Sequence, residues 1–116
     1  MAAFSGMSKL FKSTGAVHSA ALVKEGNISH HFEDVSRHHA IDKAVGHMVI
    51  HHDPTTTILL SCRVTKEIIE KLFLAGIRQV ITRSAPTFQA IKFAEAQEMQ
   101  LIGFARDGRF NCYTSL

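Results

Sequence analysis

The chain has 116 residues, 46% hydrophobic and 20% charged, a balance that excludes a disordered or collagen-like chain and fits one globular domain over residues 1–116. The net charge of +3 is too small to imply a nucleic-acid partner unless it is concentrated in one place. No apolar run approaches the roughly 20 residues that span a bilayer, and Met1 to Lys12 lack the pattern of a secretory leader, so a cytoplasmic protein without a membrane partner is expected.

Phe4, Met7, Leu10 and Phe11 recur at helical spacing and predict a first helix ending before Ser13-Thr14-Gly15. Ala16 to Val23 reads as a strand, Lys24-Glu25-Gly26-Asn27 as a turn, and Ile28 to Val35 as the returning strand of a hairpin. From His38 the period changes. Ile41, Val45, Met48 and Val49 mark an inward helical face that Asp53-Pro54 stops. Thr57 to Arg63 is a short apolar strand, followed from Lys66 by a helix with Ile68, Ile69, Leu72 and Phe73 inward and Gly76 as its left-handed cap. Gln79 to Arg83 is another buried strand. Pro86 then opens a helix whose Phe88, Ile91 and Ala94 face inward, and Leu101 to Ala105 and Phe110 to Tyr113 close the chain as strands about Asp107-Gly108. Strands alternating with amphipathic helices predict an α/β fold: a three-layer α/β/α sandwich with a mixed, mostly parallel sheet and helices on both faces.

Three strand-to-helix junctions share one chemistry. Glu33-Asp34-Val35-Ser36-Arg37-His38, Ser61-Cys62-Arg63-Val64-Thr65 and Thr82-Arg83-Ser84-Ala85-Pro86-Thr87 each supply an arginine and a hydroxyl. In a parallel sheet such junctions lie along the carboxyl edge of the strands, where α/β folds bind ligands. Free N–H groups at helix starts, the positive end of the helix dipole and the planar guanidinium fork all favour an anion, with phosphate the natural guest. A charge-assisted contact contributes about 1.5 to 3 kcal/mol, so a few outweigh the cost of gathering like charges. The same pattern would arise if Ser36, Thr65 and Ser84 only capped helices and the arginines paired with Glu33, Asp34 or Glu67. The segment Gly103-Phe104-Ala105-Arg106-Asp107-Gly108-Arg109-Phe110 adds two arginines beside aromatic rings, a combination able to hold a nucleobase as well as a phosphate. Otherwise it is a plain hairpin turn. His18 begins an apolar strand, where a structural role is the first expectation.

Cys62 and Cys112 lie far apart in different kinds of segment and form no Cys-x-x-Cys motif, so both are expected as small buried thiols. Of the eight histidines, His30 and His31 are adjacent on a strand and point to opposite faces. His47 and His51 stand four apart on a helix and could chelate together, but at its far end, away from the sheet edge. His38, His39 and His52 add no better spacing, and no metal site is expected. The His-x-Glu with Pro-Cys-x-x-Cys signature of zinc deaminases is absent, as are a Walker loop, a Gly-x-Gly-x-x-Gly fingerprint and a Ser-His-Asp arrangement.

Four of these segments, taken in order, resemble the signature blocks of the formate dehydrogenase accessory sulfurtransferase family (FdhD-type). They are Phe11 to His18 (FKSTGAVH), Glu33 to Lys43 (EDVSRHHAIDK), Arg83 to Thr87 (RSAPT) and Gly103 to Asn111 (GFARDGRFN). Ser61 to Glu67 resembles a fifth. The resemblance implies a cytidine-deaminase-like core and a role in maturing formate dehydrogenase. In that role, persulfide sulfur received from a cysteine desulfurase passes to the molybdenum of a bis(molybdopterin guanine dinucleotide) cofactor, for which GDP is a partial mimic. It further implies a homodimer and a binding site for the guanine nucleotide arms in which Phe104, Ala105, Arg106, Asp107, Gly108 and Arg109 join Arg37, Arg63, Arg83, Ser84 and Thr87, with His18 and His38 nearby. The family's Cys-x-x-Cys loop precedes the Thr-Gly block and is expected to lie upstream of this chain. Cys62 stands where the family usually has glycine, as does Ala16 and as does Ser36, and His39 replaces the usual asparagine. Cys62, at a strand end beside Arg63 and near a helix start, is the one candidate for a substitute sulfur carrier, because such surroundings lower a thiol's pKa. The alternative is a diverged, non-catalytic member that acts as a cofactor-binding or protein-interaction module.

Overall fold

A computed structural model describes residues 17–106 and 108–114, apart from the side chain of Arg106. The helix expected over residues 4–11 lies outside that range, as do most of the Phe11–His18 block and Asp107. Six strands form one sheet: β1 (His18–Lys24), β2 (Asn27–Asp34), β3 (Thr57–Leu60), β4 (Gln79–Thr82), β5 (Gln100–Arg106) and β6 (Arg109–Cys112). Three helices intervene: α1 (Arg37–His51), α2 (Lys66–Leu74) and α3 (Phe88–Ala96). The spatial order is β2-β1-β3-β4-β5-β6. The hairpin turn has Glu25 at φ 52° and Gly26 at φ 79°, positive at both central positions as a tight two-residue β-turn requires.

The sheet is mixed as expected, but the balance differs. β3–β4 and β4–β5 pair in parallel, whereas β1–β2, β1–β3 and β5–β6 are antiparallel, so antiparallel neighbours outnumber parallel ones. β1 inserts between β2 and β3 and separates two strands that run the same way.

All three described helices lie on one face of the sheet. Ala40, Ile41, Ala44 and Met48 of α1, Ile68, Ile69 and Leu72 of α2, and Ala90 and Ala94 of α3 share one core with Ala20, Leu22, Ile58, Leu60, Val80 and Leu101. The alternate strand positions Ala21, Leu59 and Ile81 form a separate cluster, joined by Ala105 and with no helical residue in it. Handedness accounts for this: the crossovers from β2 to β3, β3 to β4 and β4 to β5 all step in one direction across the sheet, so right-handed connections put every helix on the same side. Helices on both faces would have needed a reversal in strand order. The described residues therefore make two layers.

Two apolar residues face outward against expectation. Val49 is 64% and Phe88 66% exposed, while the smaller Ala40, Ala44, Ala90 and Ala94 turn inward. The alanine stripes let the helices approach the sheet closely, and the bulky neighbours fall outside that narrow seam. α1 ends at His52 in the left-handed conformation (φ 49°), whose N–H donates to the Met48 carbonyl. The Asp53 N–H donates to the same carbonyl at 2.9 Å, so the chain folds back beneath the last turn.

Candidate functional site

The strand directions bring the three arginine junctions to one edge of the sheet. The carboxyl ends of β3, β4 and β5 lie there, joined by the end of β2 and the start of β1, since His18 pairs with Asp34 and Ala20 with Leu60. β6 begins at the same edge, where Arg109 pairs with Arg106. Each helix starts here under a hydroxyl cap. Ser36 accepts from the His39 N–H (3.4 Å), Thr65 from the Ile68 N–H (3.4 Å) and Thr87 from the Ala90 N–H (3.2 Å).

Successive loops are laced together by backbone hydrogen bonds. The Arg83 N–H donates to the Leu60 carbonyl, the Val64 N–H to Ala85 O, the Thr87 N–H to Val64 O and the Phe104 N–H to Ser84 O. Thr82 adds a side-chain tie, its Oγ1 donating to the Cys62 carbonyl at 2.6 Å and accepting from the Ser84 N–H at 3.1 Å. At the last of these ties a Cβ on Gly103 would stand 2.7 Å from Tyr113 Cε2 and 2.9 Å from Pro86 Cδ, so only glycine fits without displacement. Phe104 follows with φ 52°, a left-handed conformation in a strand, where the β5–β6 register shifts. Backbone strain of this kind gathers at ligand sites.

A cleft of about 310 Å³ opens among the helix starts, lined by Arg37, His38, Thr65, Lys66, Glu67, Thr87 and Gln89. Of the residues expected from the sequence, Arg37, His38 and Thr87 line it. Arg63 and Arg109 are exposed and Arg83 and Ser84 half-buried, at the same edge but outside the cleft lining. Thr65 enters with a double role as cap and lining residue. Lys66 and Gln89 were not anticipated, although their place in the first helical turn beside a capping threonine was available as a signal. Ala105 requires correction as a contact residue: it is 2% exposed within the cluster on the face opposite the helices, because the left-handed Phe104 and the β5–β6 register shift break the alternation that would otherwise set it on the face of Leu101.

The electrostatics separate anion binding from simple pairing. Among the described residues no carboxylate lies within 4.0 Å of Arg37, Arg63 or Arg109. Asp34 is engaged elsewhere, accepting from the Ser36 N–H (3.0 Å) and facing Lys43 Nζ at 3.0 Å and His39 Nδ1 at 3.6 Å. The Ser36 N–H first, then Lys43, hold its carboxyl below the usual range. His18 sits at the same edge, and by alternation with Ala20 and Leu22 it faces the helices. Its Nδ1 is buried with no hydrogen-bond partner among the described residues, a group that an incoming ligand would satisfy.

Cys62 and Cys112 differ from expectation in opposite ways. Cys112 is exposed rather than buried, because β6 is an edge strand. Cys62 is buried at 3% exposure, as expected, but its thiol is pushed up to about 11 by that burial, against the opposing pull of Arg37. The anticipated lowering by neighbouring charge is outweighed by desolvation, leaving the thiol protonated and weakly nucleophilic at neutral pH.

The whole chain, residues 1–116, matches the model of the FdhD/NarQ family, and the chain belongs to that family. It is 41% identical over 109 residues to the sulfur carrier protein FdhD of Bacillus licheniformis, an alignment covering 92% of this chain and 41% of that protein. Similarity to protein FdhD of Methanocaldococcus jannaschii is 37% over 110 residues, covering 92% and 48% of the two chains. A crystal structure assigned as a formate dehydrogenase accessory protein from Desulfotalea psychrophila superimposes with a TM-score of 0.84 at 25% identity, over 95% of this chain and 48% of that one. The chain thus spans less than half the length of these relatives. Among the described residues no helix is long and apolar enough to cross a membrane.

Proposed function

We propose that this chain serves formate dehydrogenase maturation by binding a guanine nucleotide arm of the bis(molybdopterin guanine dinucleotide) molybdenum cofactor at the arginine-bearing edge of its sheet. There it forms the cofactor-binding part of a sulfur carrier. One observation carries this reading: three capped helix starts open on a single cleft beside arginines that no carboxylate neutralises among the described residues. A volume of about 310 Å³ is at the small end of ligand sites and suits a diphosphate with part of its nucleoside rather than a whole dinucleotide cofactor. Arg37 and the helix N–H groups take the phosphates, Glu67 is an acceptor for the amino edge of guanine, and Phe104 and Arg109 extend the contact along the rim. The client is delivered to formate dehydrogenase after sulfur arrives from a cysteine desulfurase, in the cytoplasm, with the chain acting as a homodimer of cytidine-deaminase-like class.

Calorimetric titration with GDP tests this. Binding in the micromolar range is expected, weakening as salt rises, and Arg37→Ala weakens it about 10- to 100-fold, equivalent to about 1.5 to 3 kcal/mol. Absence of binding to the folded protein, or equal binding by Arg37→Ala, overturns it. A second reading, a non-catalytic cofactor-binding module, is favoured by the buried Cys62, whose thiol is pushed up to about 11 by that burial. Persulfide labelling of Cys62 by a desulfurase, absent in Cys62→Ala, would exclude that second reading.

A further inference from the structure

At the opposite end of the same sheet a group of histidines closes around one carboxylate. His47 Nε2 lies 3.3 Å from Asp53 Oδ2, with side chains 15% and 3% exposed. The His30 ring stands 4.0 Å from that of His47, centroid to centroid, and the His51 ring 4.6 Å from it. One donor atom each from His30, His47 and Asp53 falls within 4.8 Å of the others. We propose that His30, His47 and Asp53 bind a divalent ion of the zinc class at a site separate from the arginine cleft.

The chemistry and the local construction both favour a metal. Two imidazoles and a carboxylate are a usual set for zinc, whose bonds of about 2.0 to 2.1 Å in tetrahedral geometry put neighbouring ligand atoms about 3.3 Å apart. The His47–Asp53 pair already has that spacing, and the exposed His30 ring needs only a short swing to complete it. The ligands are also oriented from behind. Asp53 Oδ1 accepts from the Thr55 N–H at 3.0 Å and Thr55 Oγ1 at 2.6 Å and meets Lys24 Nζ at 3.2 Å, which leaves Oδ2 for His47 and the ion. His30 Nδ1 lies 3.2 Å from Ser29 Oγ, and the Phe32 ring packs 5.6 Å from that of His47. Supporting contacts of this sort fix metal ligands in place. The ion would join β2, α1 and the turn into β3, three segments distant in sequence.

Zinc titration of the intact chain tests the site. One equivalent of Zn²⁺ is expected to bind tightly and raise the melting temperature, with reversal by EDTA, and Co²⁺ in its place gives the intense visible bands of a low-symmetry tetrahedral ion. His30→Ala, an exposed change that leaves Asp53 paired, weakens Zn²⁺ binding at least tenfold, and His47→Gln does so more strongly. His31→Ala, on the other face of β2, changes nothing. GDP binding is unaffected in all three, so failure here is distinguishable from failure of the proposed function. Zinc binding unchanged by His30→Ala and His47→Gln, equal loss in His31→Ala, or no tight equivalent at all overturns the proposal.

Discussion

The two ends of this sheet gather side chains by different means. At the carboxyl edge the gathering is topological: any chain with these strand directions brings its three strand-to-helix junctions together, and the residues there need only be suited to a common guest. At the other end, His30 on β2 meets His47 on α1 and Asp53 beyond it, with His51 packed on His47, through helix-on-sheet packing in one particular register. The first arrangement follows from connectivity, the second from side-chain fit. A fold of this class therefore offers its carboxyl edge as a site by default, whereas a cluster at the amino edge reflects particular residues.

The largest expected effect falls on the carboxyl edge. Gly103→Ala drives a methyl group against Tyr113 and the Pro86 ring, and a destabilisation of about 3 kcal/mol is expected from overpacking, read by urea unfolding, with GDP binding weakened as the β4–β5 tie shifts. A stability within error of the parent chain would mean that the edge yields more easily than its backbone lacing indicates.

Asp53→Ala probes the opposite end and removes the acceptor for Thr55 and the partner of Lys24 and His47. A loss of about 2 kcal/mol is expected at pH 7. Thr55 and Lys24 hold the folded carboxyl well below its ordinary range, so its contribution is complete above the unfolded value of about 4 and declines as pH falls below it toward the folded value. The difference between parent and variant should shrink in acid, and unfolding curves at pH 7 and pH 3 check it. An identical difference at both would sever the effect from ionisation.

The smallest change in free energy accompanies a thiol test that perturbs nothing. Cys112, exposed on β6, should react with a thiol reagent promptly, whereas Cys62 reacts only after denaturation. Two rapid equivalents in the native protein would place Cys62 nearer to solvent and return it to consideration as a sulfur carrier.

Much of the carboxyl edge was legible in the residues, because hydrophobic period fixes element type and parallel crossovers fix where the junctions go. Arg37, His38 and Thr87 follow from that logic. The orientation of single residues does not: Val49 and Phe88 satisfy helical periodicity as well as their neighbours do, and only the close approach permitted by the alanine seams decides which turns inward. Cys62 shows the same limit, since its flanking charges are visible in sequence but its desolvation depends on elements distant along the chain. The spacing of His47 and His51 was apparent, but the meeting of His47 with His30 and Asp53 requires the β2–α1 register and the reversal at His52.

The backbone ties between successive loops have a thermodynamic consequence for any guest at that rim. Donors anchored to one another before an encounter lose little freedom when they are occupied, so the ordering penalty that erodes affinity at floppy sites is largely absent here. Binding of an anionic guest should then show only a modest entropic cost, and the rim should keep its shape whether occupied or empty.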